Sequence, residues 1–263
     1  MSDLPHLVGM IHLLPLPGAP RFAGSMGEVL EVAVSDARIL HSVGFPALLV
    51  ENFGDAPFHA DRVEAETVAG MTMAIEAVMS ATGLPVGVNV LRNDALSALG
   101  MAAVTGARFI RVNVLTGVMY TDQGPIVGRA AELLRHRGTL APDVEIWADV
   151  MVKHATPPPG LDPRQAALDT VERGLADAVI VSGSGTGEEP DFDVVMAVRS
   201  ALPKGIRVVV GSGANVGNLA RLIDLADSVI VGSGVKVDND ANNRVDQLKA
   251  AAFVDAAADH GLL

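Results

Sequence analysis

The chain has no cysteine among its 263 residues and very few aromatic side chains: one Trp, one Tyr and seven Phe. The absence of cysteine excludes disulfides, thiolate nucleophiles and cysteine-bound zinc, so nothing in the sequence indicates an oxidising compartment. With so few aromatic residues, the core must consist of aliphatic and small side chains. Because 49% of the residues are hydrophobic, that core can still be large, and this composition suits parallel strands covered by helices.

Positive charge is also scarce: the chain has 19 Lys and Arg but 31 Asp and Glu, and its net charge is -12. Nucleic acid and acidic lipid surfaces are therefore disfavoured as partners, because proteins bind them through basic surfaces. A small phosphorylated ligand stays compatible, because backbone N–H groups can bind it locally. The sequence shows neither a signal peptide nor an apolar run long enough to span a membrane, so we expect a cytoplasmic protein without a transmembrane segment.

Short apolar runs rich in Val and Ile alternate with helical patterns along the chain. Eight β/α units in a chain of this length predict a single (β/α)8 TIM barrel over residues 1–263, with a doubly wound open sheet as the alternative. The predicted strands are LVGMIHL from Leu7, PALLVEN from Pro46, PVGVNVL from Pro85, RFIRVNV from Arg108, EIWADVMV from Glu145, AVIVSG from Ala178, RVVVGSG from Arg207 and SVIVGSG from Ser228.

Residues that favour helix starts stand between these runs. The spacing from Ser25 to Glu28 is that of a capping box, before a helix expected to reach about Val43. Asp162 precedes Pro163 in the order preferred at a helix start. Further caps are expected after the third, sixth and seventh strands at Asn93 or Asp94, Asp191 and Asn215. The loops after strands one, two and four are long enough to fold over a site.

Strand alternation predicts which side chains face the barrel interior, because successive side chains point to opposite faces. In RFIRVNV the aliphatic residues should face the helices, which leaves the polar ones inward, and the same rule turns Met151 inward in the following strand. The polar residues expected at the C-terminal mouth, where active sites of this fold lie, are His12, Glu51, Asn89, Arg111, Asn113, Asp149 and Lys153. The alternative is a buried ion pair of Asp149 with Arg111 or Lys153.

Three of the apolar strands run directly into small residues. In TIM barrels the loops after strands seven and eight often bind a phosphate, because glycine lets the backbone approach the anion and present its N–H groups. A single Gly-Ser-Gly is usually only a turn, but two at these positions predict a phosphate site. The predicted phosphate-binding residues are Ser182, Gly183, Gly211, Ser212, Gly213, Gly232, Ser233 and Gly234.

Five segments together resemble the BtpA/SgcQ family over nearly the whole chain. They are VGMIHLLPLPGAP, ENFGDAPF, FIRVNVLTGVMYTDQG, ADVMVKHA and VGSGANVGNLARLIDLADSVIVGSGVK. The resemblance implies a TIM barrel. The family takes one name from a factor needed for photosystem I accumulation in cyanobacteria, where it behaves as a peripheral thylakoid protein. Its other branch occurs beside sugar-transport and sugar-metabolism genes, and its members are often labelled as phosphoribosylanthranilate isomerases.

The isomerase label does not fit the residues of this chain. That isomerase uses a cysteine near the first strand and an aspartate near the sixth. Here cysteine is absent, and the sixth strand leads into Ser182-Gly183-Ser184 instead of a carboxylate. We therefore do not expect phosphoribosylanthranilate isomerase activity.

Three functions fit the sequence. The first is an enzyme acting on a phosphorylated sugar or nucleoside-like molecule by isomerisation, lyase chemistry or glycosidic-bond cleavage. Asp149 and Glu51 would be its general acid and base, and Lys153 would polarise a carbonyl or form an imine. Arg111 and Asn113 would stabilise developing oxyanion charge, while His12 and Asn89 complete the predicted catalytic set.

The other two functions need different partners. One is an assembly or stability factor for a larger complex such as photosystem I, with peripheral attachment to a membrane complex. The other is a divalent-metal-dependent hydrolase using His12, Glu51, Asp149 and His154, although Lys153 and Arg111 would repel a cation in the same cavity. No cofactor is predicted for the first function. A homo-oligomer is expected, because barrels of this kind commonly form one.

Overall fold

Eight parallel strands form a closed barrel in the computed structural model, which describes residues 4–183, 185 and 188–263. The strands are β1 Leu7–His12, β2 Leu48–Glu51, β3 Val86–Asn89, β4 Phe109–Val112, β5 Val118–Thr121, β6 Gly124–Val127, β7 Glu145–Val150, β8 Ala178–Val181, β9 Arg207–Val210 and β10 Ser228–Val231. β5 and β6 form a separate two-stranded sheet, and the other eight strands follow chain order around the ring until β10 pairs with β1. The predicted TIM barrel is confirmed and the open sheet is excluded.

Helices follow the barrel strands and cover their outer face. They are α1 Met26–Val43, α2 Ala65–Thr82, α3 Ala95–Thr105, α4 Ala130–Leu140, α5 Pro163–Leu168, α6 Phe192–Ala201, α7 Leu219–Ile223 and α8 Gln247–Asp259. A π-helical turn, Asp169–Arg173, continues α5, and short 3-10 turns cover Phe53–Asp55, Ser233–Val235 and Val237–Asn239. Within the described ranges, no helix has the length and apolar character needed to cross a membrane.

The structure contains capping hydrogen bonds at the predicted helix starts. Ser25 Oγ accepts a hydrogen bond of 3.1 Å from the N–H of Glu28, and the carboxylates of Asp94, Asp162 and Asp191 cap α3, α5 and α6. Asn215 makes its capping bonds one turn ahead of α7: its Oδ1 accepts from the N–H of Asn218 at 3.1 Å, and Asn218 Oδ1 accepts from the N–H of Asn215 at 2.9 Å. The helix itself begins at Leu219.

Two apolar layers lie on opposite faces of the barrel strands, as alternation requires. The inner cluster fills the barrel and consists of Leu4, Val8, Met10, Ala47, Leu49, Phe109, Trp147, Ala178, Ile180, Val209 and Ile230. Phe109 and Trp147 stack in it with ring centroids 4.2 Å apart. The outer cluster lies between strands and helices and includes Ile110 and Ile146. Because these side chains fill the interior, a ligand on the barrel axis would have to lie beyond the inner cluster.

The alternation of side chains between the two faces of the sheet stops at the end of β7. Met151 has φ 58° and His154 has φ 54°, both in the left-handed region that side chains other than glycine rarely adopt. The inward orientation expected for Met151 is therefore wrong, and its side chain packs against the outer cluster. Two left-handed residues thus enclose Val152 and Lys153 at the barrel mouth, the kind of local strain that proteins keep at functional positions.

The long loop expected after the fourth barrel strand contains a hairpin, β5–β6. Its inner face buries Met119 and Ile126 against Val114 and Val152, so the hairpin covers the chain that leaves β4 and β7. Tyr120 and Thr156 exchange backbone hydrogen bonds, which tie the hairpin to the segment after β7. The hairpin therefore supports the mouth beside Lys153.

We expect Gly87→Ala to destabilise the barrel by about 1–3 kcal/mol, the usual cost of overpacking a filled core. A Cβ at this position would lie 2.3 Å from two ring carbons of Phe109, which is itself stacked on Trp147. The free energy of unfolding in urea measures the effect. Gly100→Ala in α3 is the matched control: its Cβ would meet nothing within 4 Å, so it should stabilise by about 0.5–1 kcal/mol. Equal effects of the two substitutions would contradict the packing account.

Candidate functional site at the barrel mouth

Four polar residues stand side by side at the C-terminal ends of β1 to β4. Strand register pairs His12 with Glu51, Glu51 with Asn89, and Asn89 with Arg111. His12, Glu51 and Arg111 each follow by two positions a residue of the inner cluster, so the same alternation turns them inward. All four are buried. The structure thus brings together residues that lie far apart in the sequence.

Arg111 and Asp149 form a buried bidentate ion pair. Arg111 Nε lies 2.9 Å from Asp149 Oδ2, and Arg111 Nη2 lies 2.8 Å from Asp149 Oδ1. Asn113 Nδ2 and Ser182 Oγ donate two more hydrogen bonds to the same carboxylate, at 3.1 and 3.3 Å. Burial disfavours the charged guanidinium, but Asp149 more than offsets this and raises the pKa of Arg111. Asp149 therefore positions Arg111, and its four hydrogen bonds leave it poorly placed to act as the predicted general acid or base.

His12 is held in one neutral form. Its Nδ1 lies 3.0 Å from the carbonyl oxygen of Ala241, and its ring stacks on Phe53 with centroids 4.5 Å apart. Burial, together with the nearby charges of Lys236 and Lys153, lowers the pKa of His12 well below its usual value. A neutral ring that donates Nδ1–H to a carbonyl keeps the Nε2 lone pair available.

Two hydrogen-bond acceptors near His12 have no donor among the residues that the structure describes. Glu51 Oε1 lies 3.8 Å from His12 Nε2, and its carboxylate accepts no hydrogen bond there. Asn89 donates through Nδ2 to Arg111 O at 3.1 Å and to Asn113 Oδ1 at 3.2 Å, which leaves its own Oδ1 buried and unpaired. A buried acceptor without a donor is costly, so Asn89 Oδ1 indicates a position that a ligand or water would complete.

Lys153 faces the same space from the end of β7. Arg92 Nη2 donates a hydrogen bond of 2.7 Å to the carbonyl oxygen of Lys153, which fixes the backbone. The ammonium group has no hydrogen-bond acceptor and no carboxylate within 4 Å in the described part of the chain. Burial lowers the pKa of Lys153, Glu51 opposes that shift, and Arg111 adds to it.

Both predicted Gly-Ser-Gly turns reach this cluster. A cavity of about 20 Å³ is lined by Met10, His12, Arg111, Lys153, Gly211, Ser212, Gly213, Gly232 and Ser233. That volume holds one water molecule. Gly234 does not line it. A Cβ there would lie 2.5 Å from the carbonyl oxygen of Ala214, so this glycine packs against the turn after β9. Gly183 donates its N–H to Ser212 Oγ at 3.1 Å, so the segment after β8 supports the turn from outside.

The glycines at these turns also have a packing role. A Cβ on Gly211 would lie 2.3 Å from Ile180 Cγ2, and one on Gly213 would lie 1.9 Å from the carbonyl oxygen of Glu188. Gly213 further has φ 76°. Across the described ranges, the N–H groups of Ser212, Gly213 and Ser233 make no hydrogen bond, so they remain available to an anion.

The described residues do not support the metal-dependent alternative. Within them, no group of three or more His, Asp or Glu side chains is placed to hold a metal ion. Asp149, one of the proposed ligands, is committed to Arg111.

Comparison with known proteins agrees with the family resemblance of the sequence motifs. The sequence model of the BtpA family matches residues 5–259. The chain belongs to the BtpA family. It is 47% identical over 254 residues to the photosystem I biogenesis protein BtpA of Synechocystis sp., covering 96% of this chain and 88% of that protein. It is 44% identical to an uncharacterised protein of Methanocaldococcus jannaschii, covering 95% of this chain and 94% of that protein.

Solved structures share the fold of this BtpA-family chain at low sequence identity. The structure described as native KDPGal superposes with a TM-score of 0.63 at 16% identity, covering 100% of this chain and 98% of that one. The phosphoribosyl anthranilate isomerase of Thermus thermophilus superposes with a TM-score of 0.58 at 14% identity, covering 97% and 98%. Similarity at this level shows the TIM-barrel fold alone.

Sequence reasoning missed two buried cations of the mouth, Lys236 and Arg92. Lys236 follows the second Gly-Ser-Gly turn by two residues, and its Nζ donates 2.9 Å to the carbonyl oxygen of Asn243. Both lie beyond strand ends, where alternation no longer predicts orientation. The only sequence signal was the closeness of Lys236 to the Gly-Ser-Gly turn.

Lys236 should make stability depend on pH. Burial lowers its pKa to about 8 in the folded chain, against roughly 10.4 when unfolded. Between these values the unfolded chain binds more protons, so stability rises with pH. We expect the wild type to gain about 2–3 kcal/mol relative to Lys236→Met between pH 8 and 10.4, measured by urea unfolding. Lys204→Met, at an exposed lysine, should show no such difference, and parallel curves for wild type and Lys236→Met would contradict the prediction.

Proposed function

We propose that this BtpA-family barrel is an enzyme that binds a phosphorylated small molecule, a sugar phosphate or a phosphorylated nucleoside-like compound, at its C-terminal mouth. One observation carries the proposal: a single cavity is lined by both Gly-Ser-Gly turns and by His12, Arg111 and Lys153. Anion-binding groups and acid–base groups therefore meet at the face where TIM barrels place their active sites.

The phosphate would lie against the turns after β9 and β10. The free N–H groups of Ser212, Gly213 and Ser233 supply hydrogen-bond donors, and the Lys153 ammonium supplies charge. Arg111 contributes less charge, because Asp149 neutralises it. The cavity of about 20 Å³ is smaller than a phosphate group, so side chains must move when the ligand enters. Lys153 is suited to move, because nothing described holds its ammonium group.

The acid–base chemistry would use His12, Glu51 and Lys153. His12 Nε2 can accept a proton, and Glu51 beside it can accept or stabilise one. Isomerisation, lyase chemistry and glycosidic-bond cleavage all need a proton acceptor and a cation near the reacting oxygen. The acid–base role first expected for Asp149 passes to His12, which acts with the already predicted Glu51, because Asp149 is occupied by Arg111, Asn113 and Ser182.

Calorimetric titration with inorganic phosphate and ribose 5-phosphate tests the binding site. Lys153→Met and Ser233→Asp should each weaken binding about 10-fold or more, since one removes a charged donor and the other adds a negative charge beside the N–H groups. Lys204→Met is the matched control, because that lysine is exposed in the loop that leads into β9, at the other end of the barrel. If wild-type protein bound neither ligand, or all three variants bound equally, the proposal would fail.

A second candidate function is support of a larger complex, favoured by the 47% identity to a photosystem I biogenesis protein. The hairpin offers a surface for it. Met119 and Ile126 fill its buried face, whereas the other face presents Tyr120 and Val127, which are 50% and 60% exposed. Exposed apolar patches often mark interaction sites.

Complementation distinguishes the two functions. In a Synechocystis strain lacking its own relative, photosystem I content would be measured after expression of this chain. Under the assembly function, Tyr120→Ser with Val127→Ser should abolish rescue while Lys153→Met preserves it. Under the enzymatic function we expect the reverse, because Lys153 lines the cavity and the hairpin face does not.

A further inference from the structure

The chain contains only four lysines, and they differ in what holds their ammonium groups. Lys236 Nζ donates to a backbone carbonyl at 2.9 Å, and Lys249 Nζ donates two hydrogen bonds, at 2.9 and 3.1 Å. Lys204 is exposed to solvent. Lys153 alone lines the mouth cavity, and its ammonium group has no hydrogen-bond partner among the described residues.

The surroundings of Lys153 make its neutral amine easier to form than that of an exposed lysine. The side chain is half-buried, and burial lowers the pKa of Lys153. Two arginines near it, Arg92 and Arg111, are fixed by hydrogen bonds and cannot move away from its charge. A lysine that is partly desolvated beside other cations is the usual form of an amine nucleophile.

We propose that Lys153 forms an imine with the carbonyl carbon of a phosphorylated aldehyde or ketone. The inference rests on the proposed function, because phosphate at the Gly-Ser-Gly turns would hold the carbonyl group beside the amine. It narrows that function to carbonyl substrates, and so to lyase or isomerase chemistry through an imine.

The neighbouring groups can carry the protons that this step requires. The neutral amine of Lys153 attacks the carbonyl carbon, and the C=O electron pair moves to oxygen. His12 Nε2 takes a proton from nitrogen and returns it to that oxygen, which gives the carbinolamine. The proton that Lys153 released to solvent in becoming neutral is taken up by the hydroxyl, so that the C–O bond breaks and water leaves as the nitrogen lone pair forms C=N. The sum is protonated lysine plus carbonyl giving a protonated imine plus water.

Two hydrogen-bond acceptors, on Glu51 and Asn89, can stabilise the protonated imine and the carbinolamine. Glu51 is the acid that most opposes the pKa shift of Lys153, so its carboxylate is placed to stabilise the positive charge of a protonated imine. Asn89 Oδ1 is a buried acceptor without a described donor, in strand register with Glu51. It can accept a hydrogen bond from the carbinolamine hydroxyl, which removes the cost of leaving it unpaired.

Reductive methylation tests the amine without knowledge of the substrate. Formaldehyde is a small carbonyl compound that forms an imine with lysine and is trapped by cyanoborohydride. Peptide mapping at neutral pH would follow each of the four lysines in time. We expect Lys153 to react severalfold faster than exposed Lys204. A rate equal to or below that of Lys204 would overturn the proposal.

Borohydride trapping with dihydroxyacetone phosphate and glyceraldehyde 3-phosphate tests the ligand class by intact mass and peptide mapping. We expect one adduct on Lys153, complete loss of it in Lys153→Met, and no change in Lys204→Met. Suppression by inorganic phosphate would support both proposals. An adduct on Lys153 that phosphate does not suppress would support the imine and contradict the phosphate site. The absence of any Lys153 adduct would overturn the imine, while calorimetry would decide phosphate binding separately.

Discussion

The buried Arg111–Asp149 pair fixes the geometry of the mouth. Arg111 stands on β4 and Asp149 on β7, and the same network reaches Ser182 after β8 and the carbonyl oxygen of Gly211 after β9. Breaking such a pair leaves a buried charge uncompensated, at a cost of about 3–5 kcal/mol. Four strand ends are therefore held to one another by charge-assisted hydrogen bonds. Because the turn after β9 is one of them, the position of the proposed anion site depends on this pair.

The pair also determines which polar groups remain available for chemistry. Asp149 and Arg111 neutralise each other, and Asn113 donates to the same carboxylate, so these three residues form the frame of the site. The groups left without strong partners are the Nε2 of His12, the carboxylate of Glu51 and the ammonium of Lys153. Acceptors thus stand on β1 and β2, and the cation stands beyond β7. A site divided in this way can receive a proton on one side and stabilise negative charge on the other.

Strand alternation explains how much of the fold and of the candidate site could be predicted from the sequence. The period-2 pattern with turn signals gave all eight barrel strands, and the same phase gave the inward polar residues as far as each strand continues. It failed beyond strand ends: the left-handed Met151 reverses the orientation, and Lys236 lies between two 3-10 turns. The hairpin was missed because its two strands are only four residues each within an expected loop. Nor could alternation show that Asp149 pairs with Arg111 and not with Lys153, since that depends on distances across the barrel.

The glycines of the two turns illustrate why composition alone does not establish a ligand site. Gly211, Gly213 and Gly234 are each required by close packing against neighbouring atoms, so their presence would be explained in a barrel that bound nothing. What packing does not explain is the set of polar groups left unpaired around the same cavity. Buried polar groups in native proteins are normally hydrogen-bonded, because an unpaired one costs free energy. Three backbone donors, a lysine ammonium and two side-chain acceptors without described partners therefore carry the argument for a ligand, and the glycines only make room for it.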